Sequence, residues 1–325
     1  MRALIVRTLD GPESMQLDEV LEPEVGPGSV LVEVSAAGMA FPDLLLTRGL
    51  YQYKPDPPFI PGSEVAGRVV TAPAGSGWSP GQPVAAYPTL GGFAERVAVP
   101  EDRVFPLPDD LDLATAAAMP INYLTMHFGL CVRGRLAAGE TVAVHGAGGG
   151  LGLAAIQVAR AWGARVIAIA SSEDKRQRAL AAGAHLAIPV DGFREAITEI
   201  TEGRGVDVIA DPVGGERVTD SLRSLQPCGR FLVLGFTSGE IASVKTNRLL
   251  LNNLDVVGVG WGAYAFTHPG YMRHQWDSLM DQFARADIRP VAPEVVSLEE
   301  IPTKLREMEA RTLSGKIVAL VAPRP

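Results

Sequence analysis

A cluster of glycines follows a short apolar segment near the middle of the 325-residue chain. The stretch TVAVHGAGGGLGLAAIQVARAWGA, residues 141–164, predicts a strand ending at His145, then a turn, then a helix that starts near Leu151 and stops at Gly163. Glycines allow a tight turn and a close approach to a pyrophosphate, and the following helix N-terminus offers N–H groups and a partial positive charge. This segment therefore predicts a dinucleotide-binding turn.

The strict pattern Gly-x-Gly-x-x-Gly is not met, because alanine takes its first place in Ala147-x-Gly149-x-x-Gly152. A turn that is merely permissive is the alternative interpretation. The strand–turn–helix context favours binding, since that is where the motif acts. The predicted contacts to the cofactor are Gly148, Gly149, Gly150, Leu151 and Gly152.

The next apolar segment, RVIAIAS, indicates which dinucleotide is bound. NAD sites usually place Asp or Glu at the end of this strand, about 20 residues after the glycines, to hold the ribose 2′-OH. Here the strand ends in small hydroxyls, with two cations a few residues on, which suits a 2′-phosphate and favours NADPH. The predicted contacts are Ser171, Ser172, Lys175 and Arg176. The alternative is that Ser172 only caps a helix and that both cations face solvent. The two acids directly after Ser172 are misplaced for a phosphate.

These residues need a scaffold, and the chain changes character after residue 120. Up to there, short apolar or alternating runs separated by Pro and Gly clusters predict a β-rich barrel or sandwich. From 140 to 260, six apolar segments alternate with helical patterns, which predicts a parallel sheet covered on both faces. The final strand-like run, KIVALVA, could rejoin the first domain. The fold class is therefore α/β.

The composition excludes several classes of function. A formal net charge of −8 without a basic cluster argues against nucleic-acid binding. No apolar run is long enough to predict a spanning helix, and the N-terminal segment is interrupted too soon for a signal peptide. Cys131 and Cys228 are the two cysteines, far apart and without a metal or disulfide spacing, so we expect a cytoplasmic protein.

Several ordered motifs together resemble the medium-chain dehydrogenase/reductase superfamily, and within it the zinc-independent quinone oxidoreductase branch. They are AAGMAFPDLLLTRGLYQYKP, PFIPGSEVAG, GGFAE, INYLT, HGAGGGLGLAAIQVA, DPVGG, VVGVGWGAY and SGKIVAL. The resemblance implies a GroES-like catalytic domain formed by 1–122 and 263–325, with a six-stranded Rossmann domain, 123–262, inserted between them. It also implies a cofactor in the cleft and a homodimer or homotetramer.

The stretch FIPGSEVAG, residues 59–67, decides between a metal enzyme and a metal-free one. Zinc-dependent alcohol dehydrogenases that resemble this chain have Gly-His-Glu there, with the histidine on zinc, whereas Ser63 stands in that place here. Their cysteine ligand is missing near Phe41-Pro42-Asp43, and the five histidines show no paired spacing. A catalytic zinc needs about three protein ligands. We therefore predict no metal, and we interpret Glu64 as a structural acid paired with an arginine or with backbone groups.

The resemblance also assigns roles to single residues. Tyr51 matches a family tyrosine near the nicotinamide and could donate a hydrogen bond to a developing oxyanion; a packed loop tyrosine is the alternative. Asp43 matches a retained acid, for which local hydrogen bonding is favoured over general acid catalysis. Further cofactor contacts are implied for Thr125, Gly214, Val233, Leu234, Gly235, Phe236, Gly258, Val259, Gly260 and Arg311.

Together these features predict an NADPH-dependent oxidoreductase that transfers hydride to a small quinone without zinc. A reductase of enones or enoyl thioesters is the first alternative, because it uses the same fold and hydride step. A cofactor-binding protein with a structural or regulatory role and little turnover is the second.

Overall fold

The computed structural model describes residues 1–321, which form two compact units. The first unit contains Met1–Ile121, Pro269–Trp276 and residues 292–321, and the second contains Asn122–His268 and Asp277–Val291. The expected closing part of the catalytic domain, residues 263–325, is thus divided between the units. One contact that holds part of this segment in the second unit joins distant parts of the chain: the side-chain amide of Gln157 donates to the carbonyl of Arg289.

The strands and helices are numbered in chain order. The strands are β1 (Arg2–Val6), β2 (Met15–Glu19), β3 (Ser29–Met39), β4 (Glu64–Thr71), β5 (Pro83–Ala86), β6 (Arg96–Pro100), β7 (Val104–Pro106), β8 (Thr141–His145), β9 (Arg165–Ile169), β10 (Leu186–Ile188), β11 (Val206–Asp211), β12 (Leu225–Val233), β13 (Asp255–Gly258), β14 (Glu294–Ser297) and β15 (Ile317–Leu320). The α-helices are α1 (Phe41–Thr47), α2 (Leu113–Ala117), α3 (Pro120–Met126), α4 (Gly150–Ala161), α5 (Glu173–Ala181), α6 (Phe193–Ile200), α7 (Val218–Ser224), α8 (Thr246–Asn252), α9 (Trp261–Ala265), α10 (Tyr271–Ala284) and α11 (Ile301–Glu309). Along residues 1–321, no helix is both long and apolar enough to cross a membrane.

The second unit is built on a six-stranded parallel sheet with the order β10-β9-β8-β11-β12-β13. All six strands predicted from the apolar segments are confirmed. The central strand β8 is buried throughout, as the continuous apolar run requires for a sheet covered on both faces. The order reverses between β8 and β11, so the carboxyl ends of these strands form the crevice where doubly wound sheets bind ligands.

The first unit is β-rich, as predicted, and contains a seven-stranded sheet. Its long strand β3 pairs antiparallel with β4, β6 and β15. The C-terminal strand β15 therefore joins the N-terminal sheet, which confirms the expectation from KIVALVA. Leucine and valine side chains from β1, β3 and β4 pack with Ile301 and Leu305 of α11 into one core. Burial of each such side chain contributes about 1.5–3 kcal/mol.

Candidate functional site

The glycine turn of the second unit joins β8 to α4. β8 ends at His145 and α4 begins at Gly150, one residue before the predicted start. Gly146, which the sequence analysis did not single out, makes the turn with a left-handed φ of 60°, and its carbonyl accepts the N–H of Gly149 at 3.0 Å. The first N–H groups of α4 have no acceptor within the helix, so the turn presents them to an anion. Gly146 could have been identified from the sequence, because a glycine directly after the last residue of a strand is typical of a tight turn.

Two further glycines of the turn are required by close packing. A Cβ on Gly152 would overlap the carbonyl oxygen of Gly146, because α4 starts directly against the turn. A Cβ on Gly148 would lie 2.5 Å from the Cβ of Lys175. A turn this tight, followed by a helix N-terminus, fits the pyrophosphate of a dinucleotide.

The end of β9 lies beside this turn. Ser172 caps α5, with its hydroxyl accepting the N–H of Lys175 at 3.3 Å, so the predicted cap is confirmed. The stem of Lys175 packs on Gly148, and Arg176 donates to the carbonyl of Ala170 at 3.3 Å. The structure thus brings together two predicted groups, the glycine turn and the hydroxyls and cations after β9, that are separated by more than twenty residues.

The carboxyl ends of β11 and β12 are held together by Asp211, a buried residue that the sequence analysis did not identify. Its Oδ1 accepts the N–H groups of Val213 at 2.7 Å and Gly214 at 3.1 Å, and its carbonyl accepts the N–H of Leu234 at 3.0 Å. Burial raises the pKa of Asp211, although these backbone donors oppose the shift. The Asp-x-x-Gly spacing in DPVGG was the available signal for such a turn.

Predicted residues from β11, β12 and β13 lie near one another. A Cβ on Gly214 would be 3.2 Å from Phe236 and 3.6 Å from the carbonyl of Gly235. Val259 donates its N–H to the carbonyl of Val233 at 3.0 Å. Strands β12 and β13 are paired through to the residues Val233 and Gly258, and Gly260 precedes α9. These backbones share the carboxyl edge of the sheet.

The helical segment after residue 120 packs on the same residues. Helix α3 contains the half-buried Thr125 and continues into a π-helical turn, His127–Arg133, which the sequence did not predict. A Cβ on Gly129 in this turn would lie 3.2 Å from Val259 and 3.5 Å from Leu234. The helical segment therefore covers the ends of β12 and β13, while a cofactor contact of Thr125 stays a prediction.

In the first unit, Asp43 is fully buried at the start of α1. Its Oδ2 accepts the N–H of Ala40 at 2.8 Å and its Oδ1 accepts the N–H of Gly62 at 3.2 Å. Burial raises the pKa of Asp43 to about 7, against the pull of these donors and of Lys316. Since both oxygens hold backbone groups, the geometry favours the hydrogen-bonding role over general acid catalysis.

Tyr51 lies half-buried against the core of the first unit. Burial raises the pKa of Tyr51, and the nearby Asp43 raises it further, so the hydroxyl keeps its proton at neutral pH. Tyr87, a buried residue not predicted as functional, has its pKa raised by burial and then by Tyr51, Glu64 and Asp43. Two phenols and two carboxyl groups therefore lie within electrostatic range of one another.

Glu64 is paired with Lys316. Its Oε1 contacts the Lys316 ammonium and its Oε2 accepts the N–H of Ile121 at 2.9 Å. The sequence analysis expected an arginine or backbone groups; a backbone donor is present, but the cation is a lysine from the residue before β15. The same ammonium donates to the carbonyl of Met39 at 2.7 Å. This network ties the last strand to the ends of β3 and β4.

The residue in the place of the zinc ligand is also buried. The hydroxyl of Ser63 has no hydrogen-bond partner in the described structure. Within residues 1–321, no three His, Cys, Asp or Glu side chains come together in a way that could hold a metal ion. The absence of a metal in the working protein stays a prediction.

The remaining predicted residue, Arg311, belongs to the first unit. It follows α11 with a left-handed φ of 61°, and its N–H donates to the carbonyl of Met308 at 3.0 Å. Its side chain is exposed. Arg311, Tyr51 and Asp43 belong to the first unit and the glycine turn to the second. A shared site for these residues stays a prediction.

Comparisons with known proteins agree with this architecture. A family model described as alcohol dehydrogenase GroES-like domain matches residues 26–109, and one described as zinc-binding dehydrogenase matches residues 150–285. Quinone oxidoreductase-like protein 2 of Mus musculus is 35% identical over 321 residues, which cover 98% of this chain and 91% of that protein.

Solved structures are similar over almost the whole chain. The quinone oxidoreductase of Thermus thermophilus, solved also in complex with NADPH, is 34% identical with a TM-score of 0.85, covering 99% of this chain and 100% of that one. A probable oxidoreductase from Mycobacterium abscessus is 41% identical with a TM-score of 0.91, covering 99% of both chains. This chain therefore belongs to the quinone oxidoreductase branch of the medium-chain dehydrogenase/reductase superfamily.

Proposed function

We propose that this protein is an NADPH-dependent reductase that delivers hydride to a quinone without a metal ion. The observation that carries the proposal is the packing of Lys175 on Gly148, which brings the first turn of α5, with its predicted phosphate-binding residues, against the glycine turn. Solved relatives from Thermus thermophilus and Escherichia coli, 34% and 27% identical, are described as complexes with NADPH. These complexes support the same cofactor for this chain.

The residues of the second unit divide the work of binding. The N-terminus of α4 and the glycine turn would hold the pyrophosphate through backbone N–H groups and the helix dipole. Ser171, Ser172, Lys175 and Arg176 would hold the 2′-phosphate, because hydroxyls and cations at the end of β9 form charge-assisted hydrogen bonds to phosphate oxygens. The backbones after β12 and β13 would fix the nicotinamide end.

The cofactor supplies the hydride, and the protein supplies orientation and a dry environment. Tyr51 is the best candidate to contact the acceptor. Its raised pKa keeps the phenol protonated, so it can donate a hydrogen bond to the quinone oxygen that gains negative charge. Asp43 binds the N–H groups of Ala40 and Gly62, and so positions the chain before and after Tyr51.

The proposal of a metal-free reaction rests on what occupies Glu64. One of its oxygens is committed to Lys316 and the other to the N–H of Ile121. A carboxylate that neutralises a buried ammonium is a poor metal ligand, since binding zinc would leave that ammonium unpaired. Ser63 stands in the place of the histidine that binds zinc in the zinc-dependent relatives, so that ligand is missing as well.

The discriminating experiment is NADPH oxidation with a small quinone, an enone and an enoyl thioester assayed side by side, with NADH as the cofactor control. Quinone-selective turnover with NADPH supports the proposal. Preference for the enone or thioester would replace the substrate class while keeping the cofactor. Tight NADPH binding without turnover on any acceptor would favour the non-catalytic alternative.

Tyr51 is tested with the pair Tyr51→Phe and Tyr53→Phe. We expect Tyr51→Phe to lower kcat about 10- to 100-fold, because one donor to a developing oxyanion is lost. Tyr53 lies close by in sequence but is exposed, so its variant should keep the wild-type kcat. An equal kcat for all three proteins would remove Tyr51 from the mechanism.

We further propose a homodimer formed along β13. In the described part of the chain, β13 pairs only with β12, which leaves its other edge open to a strand of a second copy. Val256 on this strand and Leu250 and Leu251 on the neighbouring helix α8 are exposed. Light scattering should give twice the chain mass for the wild type and a lower mass for Val256→Lys.

We propose that the protein is located in a reducing compartment, the cytoplasm. Both cysteines are free, and burial raises the pKa of Cys131 to about 12, which keeps it an inert thiol. Cell fractionation would test the location.

A further inference from the structure

The guanidinium of Arg176 is already occupied by an acid. Glu173 Oε2 accepts two hydrogen bonds from Arg176, at 2.7 Å from Nη2 and 3.1 Å from Nε. The other carboxylate oxygen, Oε1, accepts from the amide of Gln177 at 2.6 Å. Arg176 is fixed at the opposite side by its bond to the carbonyl of Ala170, and only 21% of its side chain is exposed. The acid is therefore held in place on the cation.

The donors that Glu173 uses are the donors a phosphate would use. Nη2 and Nε form the fork with which arginine binds phosphate or carboxylate oxygens. A 2′-phosphate at the end of β9 must therefore displace Glu173 from Arg176, or bind with the Glu173 carboxylate close to it and be repelled by that charge. A ribose 2′-OH carries no charge and can donate a hydrogen bond to a carboxylate, so the same acid favours the unphosphorylated ribose.

We propose that Glu173 sets the preference of this protein between NADPH and NADH by competing with the 2′-phosphate for Arg176. This inference rests on the proposed NADPH site at the end of β9. It predicts that the wild-type chain binds both dinucleotides. It also predicts that the ratio of NADPH affinity to NADH affinity is smaller than it would be without the charge of Glu173.

The helix offers a matched control in Asp174. This acid also lies in the first turn of α5 and also pairs with an arginine, Arg178, at 3.0 Å. Its carboxylate is as exposed as that of Glu173, 63% against 66%. Glu173→Gln and Asp174→Asn therefore remove the same charge from the same helix turn, with a similar loss of helix-dipole stabilisation. They differ in the arginine that each acid pairs with, which is Arg176 for Glu173 and Arg178 for Asp174.

The experiment measures equilibrium binding and not turnover. Dissociation constants for NADPH and NADH are obtained from nucleotide fluorescence, and those for 2′,5′-ADP and 5′-AMP from calorimetry. We expect Glu173→Gln to bind NADPH and 2′,5′-ADP about three- to tenfold more tightly. The substitution removes a carboxylate that competes for Arg176 in an exposed ion pair and that also repels the phosphate. NADH should bind equally or more weakly, and Asp174→Asn should match the wild type with all four ligands.

A second variant tests whether the effect passes through Arg176. In an Arg176→Gln background, Glu173 has no guanidinium to occupy. The tightening caused by Glu173→Gln should then shrink to the part due to direct repulsion, which makes the two substitutions non-additive. Equal tightening with and without Arg176 would overturn the competition mechanism.

The ratio of the two affinities decides the inference. An unchanged NADPH-to-NADH ratio in Glu173→Gln, or the same change in Asp174→Asn, overturns it. Circular dichroism and the Tm of each variant confirm that the fold is kept. If the wild type binds NADPH but reduces no acceptor, the proposed reductase fails while the binding result still decides the role of Glu173. If the wild type binds neither dinucleotide, both proposals fail.

Discussion

The buried ion pair between Glu64 and Lys316 provides the sharpest test of how the first unit is held together. Its partners lie 252 positions apart in the chain, and the pair joins the residue before β15 to the start of β4. Lys316→Met keeps the length and apolar stem of the side chain but removes its charge. The substitution leaves the Glu64 carboxylate buried without a cation, and it leaves the carbonyl of Met39 without its 2.7 Å donor.

The expected loss follows from burial. Glu64 is 0% exposed and the Lys316 side chain 9%, so water cannot solvate the stranded carboxylate. Removing one partner of a buried pair costs about 3–5 kcal/mol of unfolding free energy. Glu64→Gln together with Lys316→Met should recover at least half of that loss, because no uncompensated charge remains. The amide can still accept the N–H of Ile121.

Lys304→Met serves as the matched control, because Lys304, like Lys316, is a lysine of the C-terminal segment that forms an ion pair. Lys304 contacts two acids. Its partners Glu294 and Glu307 are 49% and 38% exposed, so its loss should cost no more than about 1 kcal/mol.

Urea unfolding should be followed by tryptophan fluorescence in a Trp162→Phe/Trp261→Phe background. Trp78 and Trp276, which remain, both belong to the first unit, so the signal reports that unit even where the two units unfold separately. A loss for Lys316→Met no larger than for Lys304→Met would refute the reasoning. So would a double variant that is less stable than Lys316→Met alone.

Three other outcomes are expected. Burial lowers the pKa of His145 from 6.5 to about 3, so the unfolded chain takes up a proton first as the pH falls and stability is lost across that window. Relative to His145→Gln, the wild type should lose about 2 kcal/mol more between pH 7.5 and 5 in urea unfolding, and parallel curves would contradict this. Gly152→Ala should weaken NADPH binding about tenfold or more in fluorescence titration, because the added Cβ overlaps the carbonyl of Gly146 and displaces the turn. The control is Gly26→Ala, which also lacks a positive φ and where the nearest atom to the added Cβ is 4.0 Å away, so NADPH binding should be unchanged. Purified protein should contain far less than one zinc per chain, and dialysis against a chelator should leave quinone reduction unchanged; stoichiometric zinc would contradict the metal-free proposal.

The sequence predicted the second unit in most of its detail. Continuous apolar runs are typical of strands buried on both faces, and all six of them pair in one parallel sheet. Ser172 was identifiable as a cap because capping depends on residues within one turn of the helix. Local patterns succeed where the interaction is itself local.

Other features depend on contacts between distant segments. No local pattern pairs Glu64 with Lys316, and none predicts that Lys175 packs on Gly148. The division of residues 263–325 between the units depends on contacts such as that of Gln157 with Arg289, far apart in the chain. The competition of Glu173 for Arg176 is local, yet only side-chain geometry shows which acid of the two reaches that cation.

The acid in FIPGSEVAG shows how a metal ligand's neighbour can serve a fold without a metal. A carboxylate buried at the start of β4 needs a positive partner or several donors, whichever chemistry the protein performs. Here an ammonium and one backbone N–H fill that need, and the register places Gly38 opposite Glu64, where a Cβ would lie 2.7 Å from the carboxylate. Glycine thus leaves the space that the ion pair occupies. The Glu64–Lys316 pair is therefore complete without a metal. Ser63→His alone should not create a metal site, because a catalytic zinc needs about three protein ligands and the segment Phe41-Pro42-Asp43 supplies no cysteine.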